Sequence, residues 1–260
     1  MKKKDILNKL SDDESYYGEF GKKYFSYSDI NTLINEPENF KKPVANNINF
    51  VLGGYFHTAI LEPHKLNKFT IVKSSSRNTN IYKELSGGEI CMLQQEADMI
   101  DLMKDKTMNN DYVKQMITGA GVEYEVPNIG EIEGYEFKCK ADVVNHNEKI
   151  VFDLKTTSKD LDQFKWSAKS FYYNSQAYVY SKLFGYEFVF IAVKKPTIKE
   201  QQQCNDVEEL MSKIKIGVFD CSSDFLAKGL FNIQDALENY KLYYETPNFK
   251  PNNYFKTETL

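Results

Sequence analysis

The segment YEFKCKADVVNHNEKIVFDLKTT, residues 135–157, contains two runs in which apolar and polar residues alternate. Every second residue is apolar from 135 to 143 and again from 150 to 154, and the polar residues at 145–148 suit a turn between the runs. Alternation with a period of two is typical of β-strands. Because a third alternating run precedes them at 122–126, we predict a three-stranded meander.

The turn decides which residues of the hairpin face one another. A turn centred on His146 and Asn147 predicts that Lys140 lies opposite Asp153 and that Asp142 lies diagonal to Asp153, with Cα atoms roughly 7–8 Å apart. One face of the hairpin is then apolar, and the other carries both aspartates. A shift of the register by one residue would place the two aspartates on opposite faces.

Two carboxylates this close repel each other unless one is protonated or a cation lies between them. Either Glu123 or Glu125, on the preceding strand, could complete an oxygen-rich site for Mg²⁺ or Mn²⁺. Lys155 follows Asp153 by two residues and therefore points into the same site. Metal ions activate water and neutralise the charge of a scissile phosphate. The pattern thus predicts phosphodiester hydrolysis, with Lys155 stabilising negative charge rather than acting as a base.

The bulk composition indicates one globular unit. The chain has 260 residues, of which 42% are hydrophobic, and a formal net charge of −4, which argues against a protein covered in positive charge. The four cysteines show no zinc or iron–sulfur spacing. No apolar run of membrane-spanning length or secretory signal is present, so we expect a soluble, intracellular, cytoplasmic protein without a membrane partner.

The remaining elements follow from periodicity and from helix start and stop signals. Helices are predicted over about 26–37, 49–63, 90–117, with a break near 109–110, and 164–184, and an apolar strand over 187–195. A loop is predicted at 74–80, and helical or mixed sequence followed by an aromatic tail after 201. We therefore predict a single domain with an N-terminal helical part (1–90), a core (91–200) and a C-terminal helical part with a tail (201–260).

An acid followed by Asp142 and then Asp153-x-Lys155 on neighbouring strands resembles the PD-(D/E)XK nuclease superfamily. Ala141-Asp142 stands where that family often has Pro-Asp. The order helix, three-stranded meander, helix and strand over residues 92–195 looks like the family's core. This resemblance implies an α/β fold of the restriction-endonuclease-like αβββαβ class, with a mixed central sheet flanked by helices and with N-terminal and C-terminal helical additions.

Further motifs narrow the resemblance to the RecB-like branch and to phage-type exodeoxyribonuclease VIII. They are Gln176-Ala-Tyr-Val-Tyr180, Gly54-Tyr-Phe-His57, Leu61-Glu-Pro63, the entry Ser26-Tyr-Ser-Asp29 and Asp153-Leu-Lys-Thr-Thr157. On a continuous helix, Tyr172, Gln176 and Tyr180 would share one face because they are spaced by four. Each motif is weak alone, and the combination is more specific.

The resemblance implies a role for each residue of the predicted metal site. Asp142 and Asp153 would bind Mg²⁺ or Mn²⁺, Lys155 would assist the attacking water, and His57 would be a further metal ligand. A lone histidine on an apolar helix is nearly as often held by a structural hydrogen bond. Glu123, nineteen residues before Asp142, suits the family's upstream acid better than the alternative glutamate does.

The predicted DNA contacts are Gln176, Tyr180, Lys165, Trp166, Lys169 and Arg77. The first two would line the site by resemblance, although tyrosines on a helix are commonly core residues. The segment 165–169 mixes basic and aromatic residues, as in grooves that bind a DNA backbone, but a solvated helix start explains it nearly as well. Arg77, the only arginine, could hold a terminal phosphate with two hydrogen bonds.

The resemblance implies a metal-dependent DNA exonuclease that acts 5′ to 3′ on linear duplex DNA in phage-type recombination. It also implies a homo-oligomeric ring and a single-strand annealing protein as partner, and a phage or prophage source. Two alternatives stay open: an endonuclease or single-strand-specific DNase on the same core, and a non-catalytic DNA-binding or assembly protein that retains the fold.

Overall fold

A computed structural model describes residues 1–250 of the chain as a mixed five-stranded β-sheet with helices on both faces. The strands are β1 (Ile71–Val72), β2 (Met92–Leu93), β3 (Val122–Ile132), β4 (Tyr135–Asn145), β5 (Ile150–Thr157), β6 (Glu187–Lys194) and β7 (Lys215–Asp220). Strands β1 and β2 form a separate parallel pair. The predicted aromatic tail falls mainly on residues 251–260, which lie outside the described residues.

The helices precede, interrupt and follow the sheet. They are α1 (Lys3–Leu10), α2 (Asp13–Tyr17), α3 (Tyr27–Asn35), α4 (Ile48–Leu61), α5 (Asn80–Ser86), α6 (Gln94–Met108), α7 (Asp111–Ile117), α8 (Phe164–Ser170), α9 (Tyr173–Phe184), α10 (Ile198–Gln203), α11 (Val207–Lys213) and α12 (Ser223–Tyr240), with a π-helical turn at Lys241–Glu245. The predicted break between α6 and α7 is confirmed at Asn109 and Asn110. There the Asn110 side chain accepts a hydrogen bond from the Val113 N–H and so caps α7. None of the described helices is long and apolar enough to cross a bilayer.

The predicted meander is confirmed, because β3, β4 and β5 pair antiparallel in chain order. Helices α8 and α9 then return the chain so that β6 pairs parallel with β5, which completes the αβββαβ core. Strand β7 pairs antiparallel with β6 at the sheet edge. Helical or mixed sequence was predicted here, and the strand was not located because the half-buried residues of β7 give only a weak strand pattern.

Two hydrophobic clusters lie on opposite sides of the sheet. Helices α3, α9 and α12 contribute to one cluster, and helices α4, α6 and α7 contribute to the other. Val151 belongs to the first cluster and Phe152 to the second, and both are buried. Both faces of the hairpin are therefore covered by helices at this end of β5.

The register of the β4–β5 hairpin differs by two residues from the predicted one. Val143 pairs with Phe152 and Asn145 pairs with Ile150, so that the connection spans residues 146–149. The Asn145 side chain accepts the Glu148 N–H and shapes this longer turn. Lys140 consequently does not face Asp153. Because the shift is an even number of residues, each side chain keeps the face that was predicted for it.

The helix predicted over 164–184 is interrupted. Tyr172 has a left-handed backbone (φ 53°) between α8 and α9, so that it does not continue the face formed by Gln176 and Tyr180. The prediction that these three residues share a helix face is wrong for Tyr172. Residues on both sides of the break are compatible with helix, and periodicity alone therefore does not locate it.

Candidate active site

Asp142 lies on β4 where the ladder to β5 stops. The observed register, continued by one pair, would place Asp142 opposite Asp153. The Leu154 N–H donates its hydrogen bond to the Asp142 carboxylate, at 2.8 Å, and not to a main-chain carbonyl of β4. On the other side of β4, Glu125 has a left-handed backbone (φ 52°) and is missing from the β3–β4 ladder. Both neighbouring strands are thus irregular at Asp142, as is common where strands carry a functional site.

Asp153 is 3% exposed and is held from two directions. Gln176 on α9 donates its amide N–H to Oδ1, and Lys155 Nζ lies 2.7 Å from Oδ2. Burial and the neighbouring Asp142 raise the pKa of Asp153 although Lys155 opposes the change. Burial would lower the pKa of Lys155, but Asp153 outweighs it and raises that pKa, so the ammonium stays protonated.

His57 reaches the same point from α4, which begins after the Asn47 side chain caps the helix N–H groups. Its Nδ1 lies 3.2 Å from Asp142 Oδ2. Burial lowers the pKa of His57, but the charge and hydrogen bond of Asp142 outweigh it and raise that pKa to about 9. Burial likewise opposes ionisation of Asp142, yet His57 brings the pKa of this carboxyl below its usual value. Without a metal, the pair is therefore an ion pair near neutral pH.

Of the two upstream glutamates, Glu125 lines the cavity of the site, whereas the predicted Glu123 does not. Burial and the nearby Asp142 raise the pKa of Glu125 to about 7, whereas the Glu123 side chain is 65% exposed and lies 3.6 Å from His146. The sequence contains a signal that could have decided this choice. Glu133-Gly134 is a two-residue hairpin turn with positive φ at both positions, and counting back from it places Glu125 opposite Asp142.

These side chains converge on one cavity of about 990 Å³. Its lining includes Asp142, Asp153, Lys155, His57 and Glu125, together with residues of α2, α3 and α4. Several further lysines line it: Lys22, Lys41, Lys42, Lys68, Lys138 and Lys140. The cavity therefore combines a carboxylate cluster with a surrounding excess of ammonium groups, which suits a polyanionic ligand.

Comparison with known proteins identifies the family. Residues 22–241 match the family described as a PDDEXK-like domain of unknown function (DUF3799). The chain belongs to this family. The predicted resemblance to the PD-(D/E)XK superfamily is thereby confirmed.

The fold is also similar to solved structures. One is a candidate exonuclease from Eubacterium rectale, 16% identical, with 96% of this chain and 95% of that chain aligned at a TM-score of 0.62. A phage related exonuclease from Haemophilus somnus 129PT is 12% identical over 65% of this chain and 87% of its own, at a TM-score of 0.37. No curated protein matches the sequence. The first similarity confirms the predicted fold class.

Gln176 and Tyr180 lie inside the protein rather than on an open surface. Both line the cavity, but Gln176 is 3% exposed and holds Asp153, while the Tyr180 hydroxyl donates to the Lys140 carbonyl at 3.0 Å. Their positions suit residues that hold the active-site strands and side chains in place. Their predicted contact with DNA remains a prediction.

The other predicted DNA contacts lie away from the cavity. The side chains at 165–169 that carry the prediction, Lys165, Trp166 and Lys169, are exposed on α8 and do not line it. Arg77 forms an ion pair with Glu96 and donates to the Cys91 carbonyl at 3.3 Å. Arg77 does not line the cavity, and its contact with a terminal phosphate remains a prediction.

The donor set of the PDDEXK-like domain fits a divalent cation. Among residues 1–250, no three His, Cys, Asp or Glu side chains are arranged as a ready ligand group, and His57 and Lys155 form ion pairs with the two aspartates. The chemistry is nevertheless suitable, since three carboxylates and one imidazole meet in one cavity. The buried Gln176 Oε1 in this cavity has no hydrogen-bond partner among the described residues and could accept one from a bound water.

Proposed function

We propose that this protein is a metal-dependent deoxyribonuclease that hydrolyses phosphodiester bonds. The observation that carries the proposal is the convergence of Asp142, Asp153 and protonated Lys155 in one cavity rich in lysine. The family and the fold support a nuclease. DNA is the substrate that this combination of carboxylates and cations fits, because each nucleotide brings one phosphate that needs both a metal and positive charge.

In this proposal, Asp142, Asp153, Glu125 and His57 hold Mg²⁺ or Mn²⁺. The bound ion supplies activation of water and neutralises charge on the phosphate. Lys155 keeps its proton beside Asp153 and stabilises the negative charge that develops during hydrolysis. Its ammonium lies 4.8 Å from the Tyr173 ring centroid, so the cation is held between a carboxylate and an aromatic face.

Gln176 acts on the reaction through Asp153. Its amide N–H fixes one carboxylate oxygen and leaves the other beside Lys155. The Asp142 carboxylate is fixed in the same manner by the Leu154 N–H. Both acids are therefore oriented before substrate binds, which reduces the reorganisation needed during reaction.

We further infer an exonuclease that degrades linear duplex DNA from 5′ ends in phage-type recombination. The motifs that carry His57 and Gln176 support this finer function by their resemblance to exodeoxyribonuclease VIII. A ring of identical chains, a single-strand annealing partner and a cytoplasmic, phage-derived setting belong to the same proposal.

Matched linear and closed-circular duplexes test the mode of cleavage. The purified protein is incubated with each DNA in Mg²⁺ or Mn²⁺, and products are followed by gel electrophoresis and by release of 5′ and 3′ end labels. We expect loss of the linear DNA, early release of the 5′ label and an intact circle. Cutting of the circle would favour the endonuclease alternative, and digestion of single strands alone would favour the single-strand-specific one. No digestion of any DNA with any divalent metal would favour the non-catalytic alternative.

The two candidate glutamates offer a matched pair for a second prediction. Glu125→Gln is expected to lower the hydrolysis rate at least about tenfold, because it removes a carboxylate from the cavity. Glu123→Gln makes the same chemical change on the same strand, outside the cavity, and is expected to retain the wild-type rate within about twofold. Initial rates of hydrolysis on linear duplex DNA measure the effect of each substitution. Equal losses in the two variants, or a larger loss in Glu123→Gln, would contradict the assignment.

A further inference from the structure

Two lysines of β4 are buried beside the candidate active site. Lys138 is 5% exposed and Lys140 is 7% exposed, and both line the cavity. Buried lysines are rare unless an anion or several hydrogen-bond acceptors compensate their charge. Their spacing of two places both on the same face of the strand, toward α2.

Among residues 1–250, one carboxylate forms an ion pair with these two lysines. Asp13 Oδ1 lies 2.6 Å from Lys140 Nζ, whereas Lys138 donates to the Tyr16 carbonyl. The Tyr16 ring centroid lies 4.0 Å from the Lys138 ammonium and 4.6 Å from the Lys140 ammonium. A carbonyl and a ring face compensate a charge less than a carboxylate does. Burial and the nearby Lys41 lower the pKa of Lys138 to about 8, as expected where a cation lacks a full counterion.

The compensating groups come from a segment outside the family match. Asp13 and Tyr16 belong to α2, whereas the match begins at residue 22. The Asp13 side chain is 46% exposed, so it lies at the rim of the cavity and not in its interior. Although burial raises the pKa of Asp13, the hydrogen bond from Lys140 holds that pKa below its usual value, so the carboxylate is charged at neutral pH. A half-exposed carboxylate is thus paired with a buried ammonium.

We propose that Lys138 and Lys140 form a phosphate subsite that binds the DNA strand next to the scissile phosphate, and that Asp13 occupies Lys140 until DNA replaces it. This inference rests on the proposed function and specifies which part of the substrate the cavity holds. Lys140 precedes Asp142 by two residues, about 7 Å along the strand, which neighbouring phosphates of one strand can span.

The surroundings favour a nucleic acid strand over a free inorganic anion. Tyr17, also from α2, is 71% exposed, and its ring centroid lies 5.8 Å from the Lys140 ammonium. An exposed aromatic ring beside a phosphate-binding lysine provides a surface on which a base can stack, as in other single-strand sites. The subsite therefore offers one contact to the backbone and one to a base.

Fluorescence anisotropy with a 5′-labelled single strand of 12 nucleotides tests the subsite. Measurements in EDTA at several KCl concentrations exclude cleavage. Asp13→Asn is expected to tighten binding about three- to tenfold, because the competing carboxylate is removed. Glu14→Gln, the matched control, changes the same charge on the same helix outside the cavity and is expected to stay within about twofold. Unfolding cannot explain a gain in affinity.

The matching loss is expected for Lys140→Gln. Binding should weaken about fivefold or more. The slope of the logarithm of the association constant against the logarithm of the salt concentration is negative, and its magnitude should decrease by about 0.7, the value for one phosphate contact on a single strand. Lys114→Gln, an exposed lysine outside the cavity, is the control and should keep the wild-type slope. Excess inorganic phosphate at constant ionic strength is expected to leave strand binding unchanged, whereas strong competition would show a free-anion site.

The coupling between the two residues decides between a local and a general charge effect. Asp13→Asn should no longer tighten binding when Lys140 is glutamine. Equal tightening in both backgrounds, or no tightening in the wild-type background, would overturn the subsite. Cleavage by the wild-type protein without these binding effects would leave the proposed function standing and remove the subsite. The expected binding effects without any cleavage would support the subsite and remove the proposed function.

Discussion

Lys155→Ala is expected to lower the rate of phosphodiester hydrolysis by about 10²–10³-fold. Lys155 is the cation that lies against Asp153, and its pKa is raised by that carboxylate, so it presents a fixed positive charge at neutral pH. Removing it takes away stabilisation of the charge that develops on the phosphate. The rate on end-labelled linear duplex, with saturating Mg²⁺, measures the loss.

The loss must come from the chemistry and not from unfolding. Asp153 stays buried in Lys155→Ala without its ion pair, so the metal-free variant should unfold at a lower temperature than the wild-type protein. Mn²⁺ replaces the lost positive charge, and calorimetry should therefore still detect Mn²⁺ binding by the variant. Asp153→Asn, by contrast, should lose most of both Mn²⁺ binding and hydrolysis.

Lys159→Ala is the matched control. This lysine follows β5 by two residues, is exposed, and does not line the cavity. Its variant should keep the wild-type rate within about twofold. A Lys155→Ala variant that binds Mn²⁺ and retains more than about one tenth of the wild-type rate would remove Lys155 from the reaction.

The largest effect on stability is expected for Gly229→Ala, about 2–3 kcal/mol of lost unfolding free energy. Gly229 lies on α12 where this helix meets the start of α9. A Cβ at Gly229 would overlap with the Asn174 carbonyl and lie 3.0 Å from the Ser175 main-chain nitrogen. Backbone atoms cannot move aside as a flexible side chain would, so the two helices must separate.

Separation of these helices would also disturb the active site. The Ser175 hydroxyl donates to the Gly229 carbonyl at 3.3 Å, and the next residue, Gln176, holds Asp153. We therefore expect Gly229→Ala to reduce hydrolysis as well as stability. Urea denaturation and initial rates measure the two effects.

Gly53→Ala is the control for the intrinsic preference of helices for alanine. Gly53 is within α4, and a Cβ there would meet no atom within 4 Å. This substitution should raise the unfolding free energy by up to about 1 kcal/mol, because alanine favours helix. A neutral or stabilising effect of Gly229→Ala would contradict the close contact described between α9 and α12.

Strand alternation predicted more of the site than any single motif did. The period-two pattern fixes the face of each side chain along its own strand, and together with the assumed turn it grouped Asp142, Asp153 and Lys155. The exact pairing could not be predicted, because several polar residues at 146–149 can form turns of different length. The upstream glutamate depended on a second turn, Glu133-Gly134, whose signal is present in the sequence.

Other features depend on contacts between distant parts of the chain. Arg77 was available to a phosphate by sequence, but Glu96 engages it in the folded protein. The exposed residues of α8 had the composition of a DNA groove, yet they do not line the cavity. No local pattern shows which charged residues meet, because ion pairs form between elements whose relative position the tertiary packing sets.

The sequence by itself determined the order of the core strands, the sheet face of the two aspartates and the lysine that accompanies them. These follow from side-chain periodicity, which acts over a few residues. Only the tertiary structure decided that His57 pairs with Asp142. It also brought α2 over the buried Lys140. Such contacts are decided by how helices pack on both faces of the sheet, and that packing is a property of the whole chain.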